Sequence, residues 1–479
     1  MLKKIVVLLL AMMLCIGSMT SCVKIDERSE NYVKKETVPE TLPPAPEKVP
    51  ELPDPLNNAK LKAEKNLEEL TFDEDFSGLS LTVLIVEDTE IELGAELETS
   101  YARALRLQSE LVSQRLGCTV FIKRMPYSTF LSDAQAYNDS GLFLADVVCI
   151  PQKSLGYMKS RNLIIDLKSS YGDTFTEEYF DSNAKLQGSG MNKLYGIVGG
   201  SSVTPASYTC VYLNKAMADE MGLTEEIYGL VESGEWTLDS LLEYKTKFAE
   251  KYPDAFAFAA KDKGDIIEAF FGASGMKYMT TTAEGLPVVA NNGERLQNLI
   301  TKMKTILADE SICTFGAEAY EVFDQNNAIF YIDTLEAVSL FKTNYTLLPM
   351  PKADAGQTEY YTPTSDEAYV FAVLSSNNRP EYADTLIKAL NASSDLLKEG
   401  WARDLLNYTF RNEQSYNNVK IVFENANYDF AYMYGDVYVS IAESSYNALK
   451  NAVLTNAGYD YYVGLQTWKL NGDLNALFS

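Results

Sequence analysis

An α/β fold of two lobes is predicted by three features of this 479-residue sequence. Strand-like and helix-like stretches alternate through residues 79–167. Helical patterns dominate from Asn214 onward. A further strand at 369–374, followed by a single helix, repeats the first-lobe pattern far down the chain, as an interrupted domain would.

The elements follow in order. Residues 79–87 (LSLTVLIVE) form a β-rich run. Tyr101, Ala104, Leu105, Leu111, Val112 and Leu116 then recur at helical spacing, and Gly117 supplies a helix stop. A second strand at 118–122, a helix at 128–137 and a third strand at 145–150 complete a β-α-β-α-β order, and a short helix at 153–161 follows. This order predicts a parallel, doubly wound sheet whose ligands lie beyond the carboxyl ends of the strands, at Glu87-Asp88, 125–128 and 150–154. Strands are expected at 193–198, 209–213, 255–259, 345–350 and 369–374. Helices are expected at 265–272, 293–309, 317–326 and 333–342, and one opens at Thr237, whose hydroxyl can cap it. Trp236 just before that cap can act as a hydrophobic staple against Leu241 or stack on a ligand. Pro380 suits the first turn of a helix running to Leu390, and the Tyr-rich tail from Asp395 is mostly helical.

The predicted division is a signal at 1–21, a stalk at 22–70, lobe one at 78–209 plus 368–391, and lobe two at 214–364 plus 395–479. Three chain crossings, near 209–214, 362–369 and 391–395, would form a hinge. The N-terminus carries Lys3 and Lys4, an apolar run at 5–14, and then Met19-Thr20-Ser21-Cys22, which resembles a bacterial lipobox cut before Cys22. Lipidation of Cys22, with palmitate among its acyl groups, is one reading. An uncleaved anchor over the charge-free stretch 5–23 is the other. Either reading places the body outside the cytoplasmic membrane, on its extracellular face. Residues 37–56 hold seven of the sixteen prolines. At about 3.1 Å per residue in polyproline II they would make a stalk of roughly 60 Å. Cys118, Cys149, Cys210 and Cys313 fit no metal spacing, so buried free thiols or one disulfide are expected.

Composition removes several functions. The chain has no histidine, which excludes histidine-based nucleophile activation and histidine metal sites. The formal charge of −26 repels phosphate backbones and anionic lipid, so no nucleic-acid partner is expected. No P-loop, dinucleotide fingerprint, nucleophile elbow or EF-hand loop occurs, and neither a catalytic residue, a metal nor a cofactor is assigned. Paired carboxylates at Asp366-Glu367, Asp265/Glu268 and Glu87-Asp88 leave a cell-surface glycoside hydrolase as an alternative, and a binding-only receptor or adhesin as another.

Several motifs resemble one family. Leu194-Tyr195-Gly196, then 209–215 (TCVYLNK), Met221-Gly222-Leu223 and 234–238 (GEWTL) resemble the extracellular solute-binding proteins of ABC importers, sugar-type family. The 348–351 run (LPMP) resembles the strand leaving their second lobe. Residues 360–366 (YYTPTSD) and 422–435 (VFENANYDFAYMYG), with Arg411-Asn412-Glu413, resemble a clostridial lipoprotein group of that family. The resemblance implies a type II Venus-flytrap fold, a small solute held between closing lobes, and delivery to the permease subunits of an ABC transporter by a monomer held at the membrane through its lipid. Carbohydrate is the ligand class it implies, although the three body tryptophans do not make a Trp-lined cleft. Candidate ligand contacts are Asp88, Tyr127 and Gln152 from lobe one. Ser201, Asp265, Glu268, Asp333, Asp366 and Tyr432 are the candidates from the other side. Asp333 carries what the resemblance implies is the family's helix-start position after 328–332, where a cleft-facing residue is usual.

Overall fold

The computed structural model describes residues 55–87 and 99–459, apart from short segments within 182–191, 203–206, 283–291, 308–312, 409–412, 435–438 and 456–457. The signal, Cys22, the proline-rich stalk up to residue 54, and Asp88 lie outside the described residues. Along the chain the labelled elements are α1 (Pro55–Glu69), β1 (Ser80–Glu87), α2 (Ser100–Leu116), β2 (Thr119–Pro126), α3 (Tyr127–Ser140), β3 (Val147–Pro151) and α4 (Ser154–Ser160). There follow β4 (Thr209–Asn214), α5 (Leu238–Lys251), β5 (Phe256–Ala260), α6 (Lys263–Ala273), α7 (Gly293–Leu307), β6 (Cys313–Phe315), β7 (Ala328–Thr334) and β8 (Tyr345–Leu348). The chain ends with β9 (Thr362–Pro363), β10 (Tyr369–Ala372), α8 (Ala383–Ala392), α9 (Asp395–Tyr408), α10 (Glu413–Glu424), β11 (Ala426–Asn427), α11 (Phe430–Met433) and α12 (Val439–Leu454).

The molecule has the two-lobed, periplasmic-binding-protein-like α/β fold. The lobe-one sheet runs β2-β1-β3-β10. β1 is parallel to β2 and β3, as the β-α-β-α-β order requires, whereas β10 is antiparallel to β3. The reversal has a physical cause: β10 enters from the other lobe, without the crossover helix that parallel pairing needs. Lobe two is built on a second sheet, β6-β5-β7-β4-β8, in which β4 runs antiparallel to both β7 and β8. Strands buried on both faces read as continuous apolar runs, and β3 and β8 are buried at every position.

Local signals act as their chemistry dictates. Thr99 caps α2 by accepting from the Ala102 amide, and Gly117 ends it in the left-handed region at φ 71°. Thr237 and Ser240 form a reciprocal capping box on α5. Trp236 is fully buried, and its indole N–H donates to the Pro349 carbonyl at 3.0 Å, so it is a core residue of lobe two. Cys118, Cys149, Cys210 and Cys313 are free thiols, the last three buried.

Four expectations change. The stalk expected to run to Leu70 ends sooner: Pro55–Glu69 is a helix that buries Leu56, Ala59, Ala63 and Leu67 against α2 and α9. The Arg115 guanidinium seals its end, donating to the carbonyls of Leu67 (2.6 Å) and Leu70. The tail assigned to lobe two from Asp395 also divides: α9 packs on α1 and α2, and α10 packs on β8. The chain is therefore still in lobe one along α9, beyond the crossing expected at 391–395. The expected strand at 193–198 is reduced to Lys193–Leu194 and an isolated pairing of Ile197 with Phe371. Finally, 333–342 is not one helix: Asp333 and Thr334 extend β7, and Leu335–Leu340 is a 3-10 turn.

Candidate functional site

The two lobes are joined by a narrow ribbon. Thr362 and Pro363 of β9 pair with Ala426 and Asn427 of β11, while Tyr208, just before β4, bridges to Thr364. A cavity of about 270 Å³ opens against one face of this ribbon, walled by the carboxyl ends of β5 and β7 and by α6. The strand-end rule that selects ligand sites in α/β sheets thus holds in lobe two.

One wall is polar. Asp333, at the end of β7, accepts from Lys261 Nζ (3.0 Å), the Tyr331 hydroxyl (2.8 Å) and the Thr334 amide (2.8 Å). Glu268 on α6 accepts from the Tyr432 hydroxyl at 3.1 Å. Burial pushes the Glu268 carboxyl up to about 7; the charges of Asp265 and Asp366 add to the rise, and the Tyr432 hydroxyl and Lys450 oppose it. Asp265, one turn earlier on α6, is also raised, first by burial and then by Asp262 and Asp333. Asp429 accepts from the amides of Tyr278 (2.6 Å) and Ala431 (2.8 Å) and sits beside Lys277. Burial brings the Lys277 ammonium down to about 8, and its donated bonds go to Asn427 Oδ1 and the Tyr428 carbonyl.

Aromatic rings line the same cavity. Tyr278 stacks on Phe271 with ring centroids 4.3 Å apart, and Tyr432 meets Tyr278 edge-on at 6.2 Å. Carboxylates that accept hydroxyl hydrogens, beside rings that take apolar C–H faces, suit a polyhydroxylated solute. Among the described residues no cluster of acidic and sulfur side chains could hold a metal ion.

Of the candidate contacts, Asp265, Glu268, Asp333 and Tyr432 are brought together on this cavity. Asp366 is not on its lining, but its charge reaches Glu268 and its carbonyl accepts from the Lys153 amide (3.1 Å). Gln152 is fully buried and donates through Nε2 to the Ser365 carbonyl at 2.6 Å, fastening lobe one to the ribbon. Tyr127 opens α3 with Lys153 Nζ 4.9 Å from its ring centre, away from the lining. Ser201 is not brought to the cavity: its hydroxyl donates to the Leu390 carbonyl (2.7 Å) and accepts from Gln108 (2.9 Å) inside lobe one.

Sequence reasoning missed Lys261, Tyr278, Asn427 and Asp429. Lys261 directly follows β5, so the strand-end rule already pointed to it. Asn427 and Asp429 lie within the tail motif at 422–435. Tyr278 carried no signal, because the segment leaving α6 has no periodicity. The tail tyrosines separate by role. Tyr428 is buried and bonded to Tyr208 (hydroxyl oxygens 3.3 Å apart), Tyr432 lines the cavity, and Tyr434 meets α4 of lobe one. That last approach needs Gly156, since a Cβ there would lie 2.9 Å from the Tyr434 carbonyl oxygen. Tyr438 lies outside the described residues.

No protein-family model matches this chain, and no curated protein matches it. Solved structures do. The sugar-binding protein MalE of Xanthomonas citri is 11% identical, with a TM-score of 0.56 over 83% of this chain and 98% of that one. The cyclic α-maltosyl-1,6-maltose binding protein of Arthrobacter globiformis is 13% identical, with a TM-score of 0.55 over 83% and 99%. The galacto-N-biose/lacto-N-biose I-binding protein of a Bifidobacterium longum ABC transporter, solved with lacto-N-biose, is 13% identical, with a TM-score of 0.53 over 85% and 99%. At these identities the likeness is one of fold, and it spans nearly the full length of each neighbour.

Proposed function

We propose that the chain is the extracellular substrate-binding lipoprotein of an ABC importer, anchored through Cys22, and that it captures a carbohydrate between its lobes for delivery to the permease. The observation that carries this reading is the cavity beside the ribbon, which Asp333 and Glu268 line together with Phe271, Tyr278 and Tyr432. Carboxylates and ring faces in one cavity match the hydroxyls and C–H faces of a sugar. The fold neighbours, a sugar-binding protein, a cyclic α-maltosyl-1,6-maltose binding protein and a galacto-N-biose/lacto-N-biose I-binding protein, support the same reading.

The protein acts by binding and release, without turnover, as a monomer. Solute that touches both lobes favours the closed arrangement only through its differential affinity, and a shift from 1:99 to 99:1 needs about 5.5 kcal/mol. Thermal unfolding of the protein against a panel of mono- and oligosaccharides tests the reading. A bound sugar at a hundred times its dissociation constant adds about 2.7 kcal/mol and raises the melting temperature. A panel that moves nothing, or chemical conversion of the added sugar, would overturn it.

A further inference from the structure

A second cavity, of about 300 Å³, lies on the other face of the same ribbon. Side-chain alternation along extended backbone creates the pair. Thr209 faces the first cavity and its neighbour Tyr208 the second; Asn427 and Asp429 face the first, and Tyr428 the second. The rear cavity takes one wall from lobe one, at Asp181, Gly200 and Lys398, and the opposite wall from the end of α10, at Phe423 and Glu424.

Lys398 on α9 is the chemically informative residue. Among the described residues, its ammonium has no hydrogen-bond acceptor and no ion-pair partner. Asp181 and Glu424 act on it only at longer range; Asp395 does so too, but it is ion-paired with Lys62 at 3.0 Å and is not on the lining. An ammonium flanked by carboxylates it does not touch leaves gaps that one kind of group fills on both sides. A hydroxyl accepts from the lysine and donates to a carboxylate. An anion would meet Glu178, Asp181 and Glu424, and a cation would meet Lys398, so neither fits as well. The rings of Tyr208 and Tyr428 offer apolar faces beside these groups.

We propose that this rear cavity is a second ligand site, for a neutral polyhydroxylated molecule of about one sugar ring, held by Lys398 and Glu424 and distinct from the solute cavity. Its walls belong to different lobes, so rotation about the ribbon changes their separation, and its occupancy is coupled reciprocally to the solute cavity.

Equilibrium dialysis of the full-length protein with D-glucose and myo-inositol, supplemented by saturation-transfer NMR, tests this. Lys398→Met is expected to weaken binding of at least one probe by about tenfold or more, the loss typical of a charge-assisted bond. Glu424→Gln should weaken the same probe and provides the measurement if Lys398→Met does not fold. Asp333→Asn is expected to leave that binding phase in place while weakening a carbohydrate held in the solute cavity. Two results overturn the inference: no binding of either probe at millimolar concentration, or binding that is lost in Asp333→Asn and unchanged in Lys398→Met and Glu424→Gln. The solute-binding proposal survives either of those results.

Discussion

The Tyr432 hydroxyl donates to Glu268 at 3.1 Å, tying the tail segment after the ribbon to the first helix beyond β5. This bond lies on the cavity lining, at a carboxyl whose proton affinity the fold has raised.

That rise sets a pH dependence. Glu268 is held at about 7 against an ordinary value of 4.5. Between those values the folded state binds more protons at this site than the unfolded chain, so stability falls as pH rises through the window. Glu268→Gln removes the term. The melting temperature of the wild-type protein, taken relative to Glu268→Gln, is expected to decline from pH 4.5 to about 7 and to be flat on either side. Comparison of the two proteins isolates Glu268 from other buried carboxyls such as Asp429, which is raised for the same reason.

Asp333 should separate affinity from stability. Its partner Lys261 is 54% exposed, so the ion pair contributes little to folding. The carboxylate itself lines the cavity, where a sugar hydroxyl donating to it would form a charge-assisted bond. Asp333→Asn is expected to lower carbohydrate affinity about ten- to a hundredfold, read by titration calorimetry, with a melting shift of only a degree or two.

What could be read from the sequence depended on how local the cause was. The strands β1, β3, β4 and β5, the stop at Gly117 and the cap at Thr237 are set by neighbouring residues, and each forms where its pattern lies. Asp265, Glu268 and Asp333 could be placed beside the cavity because each lies at or near the end of a strand or the opening of a helix, which a pattern can locate. Ser201 and Gln152 could not be placed this way. Their partners, Leu390 and Ser365, are 189 and 213 residues away in the chain. The placing of α9 in lobe two fails for the same reason, since nothing within Asp395–Tyr408 states that its partners are α1 and α2. The helix α1 was hidden by composition. Two of its buried positions are alanines, and it follows directly on a proline-rich run.

That helix carries a prediction about the folded body. Leu67 is 3% exposed, packed in the lobe-one core beside Arg115, which holds the helix end. Leu67→Ala is expected to cost about 2–5 kcal/mol by chemical denaturation. A chain that begins at Leu70 is expected to be less stable still, because it also uncovers the faces of α2 and α9 that Leu56 and Ala63 protect. Equal stability of the chain beginning at Leu70 and the full-length protein would show that α1 contributes nothing.

Trp236 provides the converse case, a large aromatic whose loss should leave binding intact. It is fully buried, it donates to the Pro349 carbonyl, and its ring packs near Tyr244 and Phe330 at centroid distances of 6.4 and 6.3 Å. None of these residues lines the solute cavity. Trp236→Phe keeps most of the apolar volume but leaves the Pro349 carbonyl without its donor, at about 1–3 kcal/mol. Denaturant unfolding should register that loss while calorimetric affinity for a bound sugar stays unchanged. A drop in affinity with stability preserved would instead place the indole in contact with the solute.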